Sequence, residues 1–138
     1  REPYRPVAAI VLKEEFYKYF EKEYNSPYMT FCAKAKEITK LEAPAVVHFD
    51  GTTRVQTITK ENNPYLYEIL MKLKERGKIP ILMNTSFNTA EEPIVDTIED
   101  AIKTFKISHA DELYINGEKY EKWGYTKINN CWRFSLWY

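Results

Sequence analysis

The sequence predicts an α/β fold organised on a mixed β-sheet. Apolar runs of strand length at 7–12, 45–49 and 79–83 alternate with segments whose apolar residues recur at helical spacing. Such alternation favours strands interleaved with helices. The turn dipeptides Asp50-Gly51 and Asn116-Gly117 add hairpins, so the sheet should be mixed and not purely parallel. With 138 residues, 44% hydrophobic and 15% aromatic, the chain suits one domain over 1–138 with a substantial core. No repeat, low-complexity stretch or internal linker interrupts it.

Each element has a local reason. Residues 1–6 should be extended, because Pro3 and Pro6 remove donors and restrict their neighbours. The continuous apolar run 7–12 reads as a buried strand. A short helix is predicted over 13–23, with Phe16, Tyr19 and Phe20 on one face and Asn25-Ser26-Pro27 as its breaker. Residues 28–35 are β-prone, and the charged stretch 34–42 reads as a solvated connection. A second apolar strand is predicted at 45–49. It should form a hairpin with the alternating stretch 53–59, placing Arg54 just past the turn. Asn63 should cap a helix that opens on Pro64, buries Leu66, Ile69, Leu70 and Leu73, and stops at Gly77.

The stretch Ile79-Pro80-Ile81-Leu82-Met83-Asn84-Thr85-Ser86-Phe87-Asn88 begins apolar and ends in hydroxyls and amides. It reads as a buried strand delivering a polar loop, the kind of place where open α/β sheets hold ligands. Thr97 should cap the next helix, with Glu99 and Asp100 in its first turn and Ile98, Ala101, Ile102 and Phe105 as its stripe. Residues 112–120 should form a hairpin about Asn116-Gly117. The aromatic stretch 123–138, with its three tryptophans, reads as a strand or irregular tail packed on the body.

Composition excludes several classes. Formal net charge is +0 and the sequence pI is about 6.9, which argues against nucleic acid as the dominant partner. No apolar run reaches the roughly 18–20 residues of a membrane helix, and no signal peptide is visible. Cys32 and Cys131 make neither a metal knuckle nor a disulfide framework, so a reducing, cytoplasmic setting is expected. His48 and His109 have no second ligand at metal spacing, and no glycine-rich phosphate loop exists. The chain opens on Arg1 without methionine and reads as cut from a longer protein.

Three constellations could carry chemistry. Thr85, Ser86 and Asn88 offer donors suited to a phosphate or a small planar acyl group, although such residues also cap their own loops. Arg54 near a turn can hold phosphate bidentately, and its bland reading is a solvated surface arginine. Arg1 and Arg5 flank prolines before the first strand and could clamp a triphosphate or carboxylate. They could equally be ordinary sheet-edge arginines.

Several stretches occur together in a telling order. They are Arg1-Glu2-Pro3-Tyr4-Arg5-Pro6, Ser26-Pro27-Tyr28-Met29, His48-Phe49-Asp50-Gly51-Thr52-Thr53-Arg54-Val55-Gln56-Thr57, Asn84-Thr85-Ser86-Phe87-Asn88, Glu92-Pro93-Ile94-Val95 and Glu99-Asp100-Ala101 with Thr104-Phe105. In this order they resemble the C-terminal domain of the nodulation and antibiotic-biosynthesis O-carbamoyltransferases, over about residues 1–116. The resemblance implies a YrdC-like twisted mixed sheet with flanking helices. It also implies a preceding N-terminal actin-like ATPase-type domain that carries a metal and the acceptor site. ATP, with Mg²⁺, and carbamoyl phosphate would be substrates, converted here to carbamoyl adenylate. The neighbouring domain would then pass the carbamoyl group to a hydroxyl of a sugar or antibiotic-like acceptor. No bound metal is expected in this domain, and the isolated domain is not expected to be fully active.

The resemblance also implies roles. Arg1 matches the arginine of the family's Lys-x-Arg pair, whose lysine would precede this sequence, and Ser86 and Asn88 match its Ser-x-Asn. Glu91 departs from a usual glycine. Arg54 would clamp phosphate, Ser86 would hydrogen-bond the α-phosphate or carbamoyl group, Asn88 would orient the acyl end, and Arg1 would hold an anionic oxygen. Arg5 and Thr85 would support substrate binding. The chemistry agrees, since attack on the α-phosphorus of ATP spreads negative charge over phosphate oxygens that arginines and hydroxyls stabilise. Two rival readings fit the same residues: a non-catalytic YrdC-like module that holds nucleotide or RNA, and a docking domain acting through the Trp-rich tail.

Overall fold

A computed structural model describes residues 7–22, 25–89 and 92–122. Contacts gather into two compact units, Arg1–Asn84 and Thr85–Tyr138. Both are mixed α/β.

The first unit is built on a four-stranded sheet of β1 (Ala8–Leu12), β2 (Cys32–Lys34), β3 (Thr52–Ile58) and β4 (Ile81–Asn84), in the order β2-β3-β1-β4. β1 runs parallel to β3 and antiparallel to β4, while β2 runs antiparallel to β3, so the sheet is mixed as expected. β1 is buried along its whole length, which is why its sequence is apolar without alternation. One face carries Ala9, Val11, Ala33 and Val55 into a core completed by Phe16, Tyr19, Phe20 and Val46. The Phe16 and Phe20 rings lie 5.0 Å apart at 45°. Ile10, Leu12 and Ile58 are buried on the other face, and α3 (Pro64–Glu75) packs against β1.

Local signals place α3 as the sequence predicts. The Asn63 side chain accepts from Leu66 N–H at 3.0 Å, and Pro64 opens the helix. Gly77 adopts φ +65° just past the helix end. Gly77 N–H reaches Lys74 O, and Lys78 N–H reaches Leu73 O, closing a Schellman motif.

Three expectations fail for tertiary reasons. The helix predicted over 13–23 is a 3-10 turn at Lys13–Glu15 and a single α turn, α1 (Phe16–Tyr19). It ends because the next backbone groups are taken elsewhere: Lys36 N–H donates to Tyr19 O, and Glu21 N–H to Lys34 O. The solvated connection at 34–42 is a helix, α2 (Glu37–Glu42), anchored by the buried Thr39 hydroxyl donating to Tyr19 O at 2.6 Å. The strand expected at 45–49 is a 3-10 turn, Pro44–Val46, followed by a tight turn. Pro44 supplies no donor, Val46 alone is buried, and Phe49 points to solvent, so β3 takes β2 as its antiparallel neighbour.

The second unit holds α4 (Ile98–Ile107) and a hairpin of β5 (Glu112–Ile115) and β6 (Glu118–Glu121). Thr97 accepts from Asp100 N–H at 3.1 Å as the cap. Ala101, Phe105 and Leu113 form the core, packed with Phe87, Val95, Ala110, Ile115 and Tyr120. Thr104 is buried, whereas Ile98 of the expected stripe is exposed. Asn116 and Gly117 both take positive φ, 51° and 82°, as the two-residue turn requires. Arg1, Arg5, Glu91, Cys131 and the aromatic stretch 123–138 lie outside the described residues.

Two substitutions separate core from surface. Phe20→Ala should lower unfolding stability by about 3–5 kcal/mol through cavity formation. Phe49→Ala, at an exposed ring, should change it by less than about 0.5 kcal/mol. Urea unfolding at pH 7 reads both.

Candidate functional site

The period of two along β3 sorts its side chains. Thr53, Val55 and Thr57 are buried, Arg54 is exposed and Gln56 is half-buried. Arg54 and Gln56 therefore share the other face. Gln56 faces Ile10 across the ladder, and Asn84 of β4 faces Ala8, two residues earlier on β1. Arg54, Gln56 and Asn84 thus lie on one face, with Ala8 and its small methyl between the outer two. The Arg54 guanidinium has no ion-pair or hydrogen-bond partner among the described residues.

A loop at 26–31 runs alongside β3 beyond the end of β2. Thr57 N–H donates to Ser26 O at 3.0 Å, and Ser26 N–H returns to Thr57 Oγ1 at 2.9 Å. The buried Ser26 hydroxyl accepts from Thr30 N–H at 2.9 Å. Met29 sits in the left-handed region at φ 57°, a conformation that costs roughly 1–3 kcal/mol and persists only where its surroundings hold it. From this loop Pro27 O accepts from Gln56 Nε2 at 3.0 Å. Gln56 Oε1 in turn accepts from Asn84 Nδ2 at 2.8 Å, and the same Nδ2 reaches Met29 Sδ at 3.4 Å.

On the turn before β3, His48 is held at both ring nitrogens. Thr52 Oγ1–H donates to Asp50 Oδ1 at 2.7 Å, so the hydroxyl's free lone pair faces His48 Nδ1 at 3.0 Å. Arg54 N–H donates to His48 Nε2 at 3.4 Å. This pattern fits a neutral ring protonated on Nδ1. Partial burial pushes the His48 pKa below 6.5, the nearby Arg54 charge adds to the effect, and Asp50 opposes it.

In the second unit Ser86 is exposed, with no hydroxyl partner among the described residues. Thr85 is half-buried. Asn88 braces its own loop, its Nδ2 donating to Thr89 O at 3.0 Å and Glu92 O at 2.9 Å. Its amide protons serve the loop-capping role, and its Oδ1 has no partner among the described residues. The structure thus groups Arg54 with Gln56 and Asn84 in one unit and Thr85 with Ser86 and Asn88 in the other. Arg1 and Arg5 fall outside the described residues.

A concavity lies where β1 and β3 end, a cavity of about 400 Å³ lined by Lys13, Glu14, Thr59, Lys60, Glu61 and Tyr67. Its charges are mixed, and Tyr67 OH already donates to Glu14 at 2.8 Å. Among the described residues no group of three His, Cys, Asp or Glu could hold a metal, and no helix is long and apolar enough to cross a membrane.

Residues 1–122 match the family described as Carbamoyltransferase C-terminus. The chain belongs to that family. It is 38% identical over 118 residues to nodulation protein NolO of Bradyrhizobium diazoefficiens, covering 83% of this chain and 22% of that protein. It is 39% identical over 118 residues to nodulation protein NolNO of Sinorhizobium fredii, covering 83% of this chain and 17% of that protein. Identity to a 3'-hydroxymethylcephem-O-carbamoyltransferase of Amycolatopsis lactamdurans is 28% over 122 residues, covering 88% and 23% respectively. The chain spans about a fifth of the length of these relatives.

In this carbamoyltransferase C-terminus domain, stretches of the sequence pattern that are distant along the chain meet at the Arg54 face: Ser26 to Met29, His48 to Thr57, and Asn84. Sequence reasoning assigned a role to Arg54, included Asn84 only as the start of the polar loop, and gave Gln56 none. Strand alternation placed Gln56 beside Arg54, but nothing local announced Asn84 as its partner.

His48 supplies a pH test. The fold favours its neutral form, so below pH 6.5 the unfolded chain binds more protons than the folded one. Its contribution to stability is therefore present above pH 6.5 and lost as pH falls below it. Ring-nitrogen NMR should show the Nδ1–H tautomer at pH 7 and a midpoint below 6.5. A midpoint above 6.5 would contradict the arrangement.

Proposed function

We propose that this chain is the C-terminal, YrdC-like domain of a longer cytoplasmic O-carbamoyltransferase that uses ATP and carbamoyl phosphate. Carbamoyl phosphate and water would give carbamate and phosphate. A carbamate oxygen would attack the α-phosphorus of ATP, expelling pyrophosphate and leaving carbamoyl adenylate. A hydroxyl acceptor would take the carbamoyl group in an N-terminal actin-like ATPase-type domain of the same protein.

The observation that carries this reading is the Arg54 guanidinium, without an ion-pair or hydrogen-bond partner among the described residues, on a sheet face where several stretches of the family pattern converge. An arginine with its donors free can meet phosphate oxygens bidentately. The Ser86 hydroxyl and the Asn88 side-chain carbonyl, likewise without partners among the described residues, would donate to phosphate or carbamoyl oxygen and accept from the acyl end respectively. Arg1, Arg5 and Thr85 are proposed to support substrate binding. Carbamate is already anionic, so its attack needs no general base. Mg²⁺ would enter with the polyphosphate and supply charge neutralisation there.

Calorimetric titration of the chain with ATP·Mg²⁺ and carbamoyl phosphate tests the proposal. Arg54→Ala should weaken binding by about 1.5–3 kcal/mol, the range for hydrogen bonds to charged groups. No detectable binding of either ligand to the unsubstituted chain would count against it.

A further inference from the structure

Resting on the carbamoyl-phosphate reading above, we propose that Asn84 is a specificity-determining residue. Its side-chain carbonyl recognises the amino group of the carbamoyl moiety. The backbone oxygen of Pro27 can only accept a hydrogen bond. Gln56 must present its NH₂ to that oxygen, and the distance is 3.0 Å. Its own carbonyl is then turned toward Asn84, which must answer with its NH₂, at 2.8 Å. The second Asn84 amide proton is directed at Met29 Sδ, 3.4 Å away. Flipping either carboxamide would oppose two acceptors or two donors, so the orientation of both follows from the proline carbonyl.

The remainder of this chain of bonds is one group. Asn84 Oδ1 has no partner among the described residues, and its direction is fixed. A half-buried acceptor held in this way selects for a donor. Arg54 lies on the same face, separated from Asn84 by β1 and hence by roughly 10 Å between backbones. The two side chains offer opposite chemistry across Ala8: a cation for a phosphate at one end and a lone-pair acceptor at the other. A small molecule with a phosphate at one end and an N–H at the other satisfies both. Carbamoyl phosphate has this form. Acetyl phosphate, with methyl in place of NH₂, has the same size and charge but no donor.

The test is competitive calorimetry on the whole chain with carbamoyl phosphate, acetyl phosphate and inorganic phosphate. The unsubstituted chain should bind carbamoyl phosphate at least about tenfold more tightly than acetyl phosphate. In Asn84→Leu that ratio should fall several-fold toward one, with acetyl and inorganic phosphate affinities unchanged. Gln56→Leu, which removes the orienting partner but not the acceptor, should lower the ratio part of the way. Two results overturn the inference while sparing the carbamoyl-phosphate reading: a ratio near one in the unsubstituted chain, or an undiminished ratio in Asn84→Leu. The first needs no variant to fold. Binding of neither carbamoyl phosphate nor inorganic phosphate would overturn both.

Discussion

The first unit depends on the register of β3 against β1. Val55 opposite Ala9 and Thr57 opposite Val11 send one side-chain set into the aromatic core. The same pairing sends Arg54 and Gln56 to the other face. A one-residue slip would put a guanidinium into that core and a valine on the polar face. The fold therefore fixes where the charged group stands without an ion pair or hydrogen bond from the guanidinium to any described residue. The core excludes the alternatives.

The loop at 26–31 is the second fixed element. β2 is short, and beyond it the donors of β3 would lack partners. Phe31 O and Ser26 O take those of Val55 and Thr57. This backbone requirement explains why the loop follows the sheet edge so closely, and why Pro27 O comes within reach of Gln56. Structural satisfaction and site geometry here have one cause: the bonds that finish the sheet also aim two carboxamides. The left-handed Met29 is the local cost of that path.

Much of this was legible where the signal is short-range. The Asn63-Pro64 start, the Gly77 stop, the Thr97 cap and the Asn116-Gly117 turn each depend on a few neighbouring atoms. Residues 34–42 and 45–49 depart from their local pattern because their state is decided by distant partners. Thr39 becomes helical with its hydroxyl on Tyr19 O, and β3 pairs with β2 instead of the nearer apolar run. The site divides the same way. Arg54 and Ser86 carry chemistry in their own side chains and could be picked from the sequence. Gln56 and Asn84 gain theirs from each other across 28 positions and from Pro27 across 29, and no local pattern encodes that. Asn88 was visible as a polar loop residue, yet its amide protons brace the loop.

The central claim is that the Arg54 face of β3 is the ligand-binding surface of this unit. Side-chain-selective NMR of ¹⁵N-labelled chain during titration with carbamoyl phosphate tests it most directly. The account predicts that the largest shifts fall on the Arg54 guanidinium and the Gln56 and Asn84 carboxamides. The largest shifts at Lys13, Lys60 and Tyr67, around the cavity beyond the opposite strand ends, would contradict it.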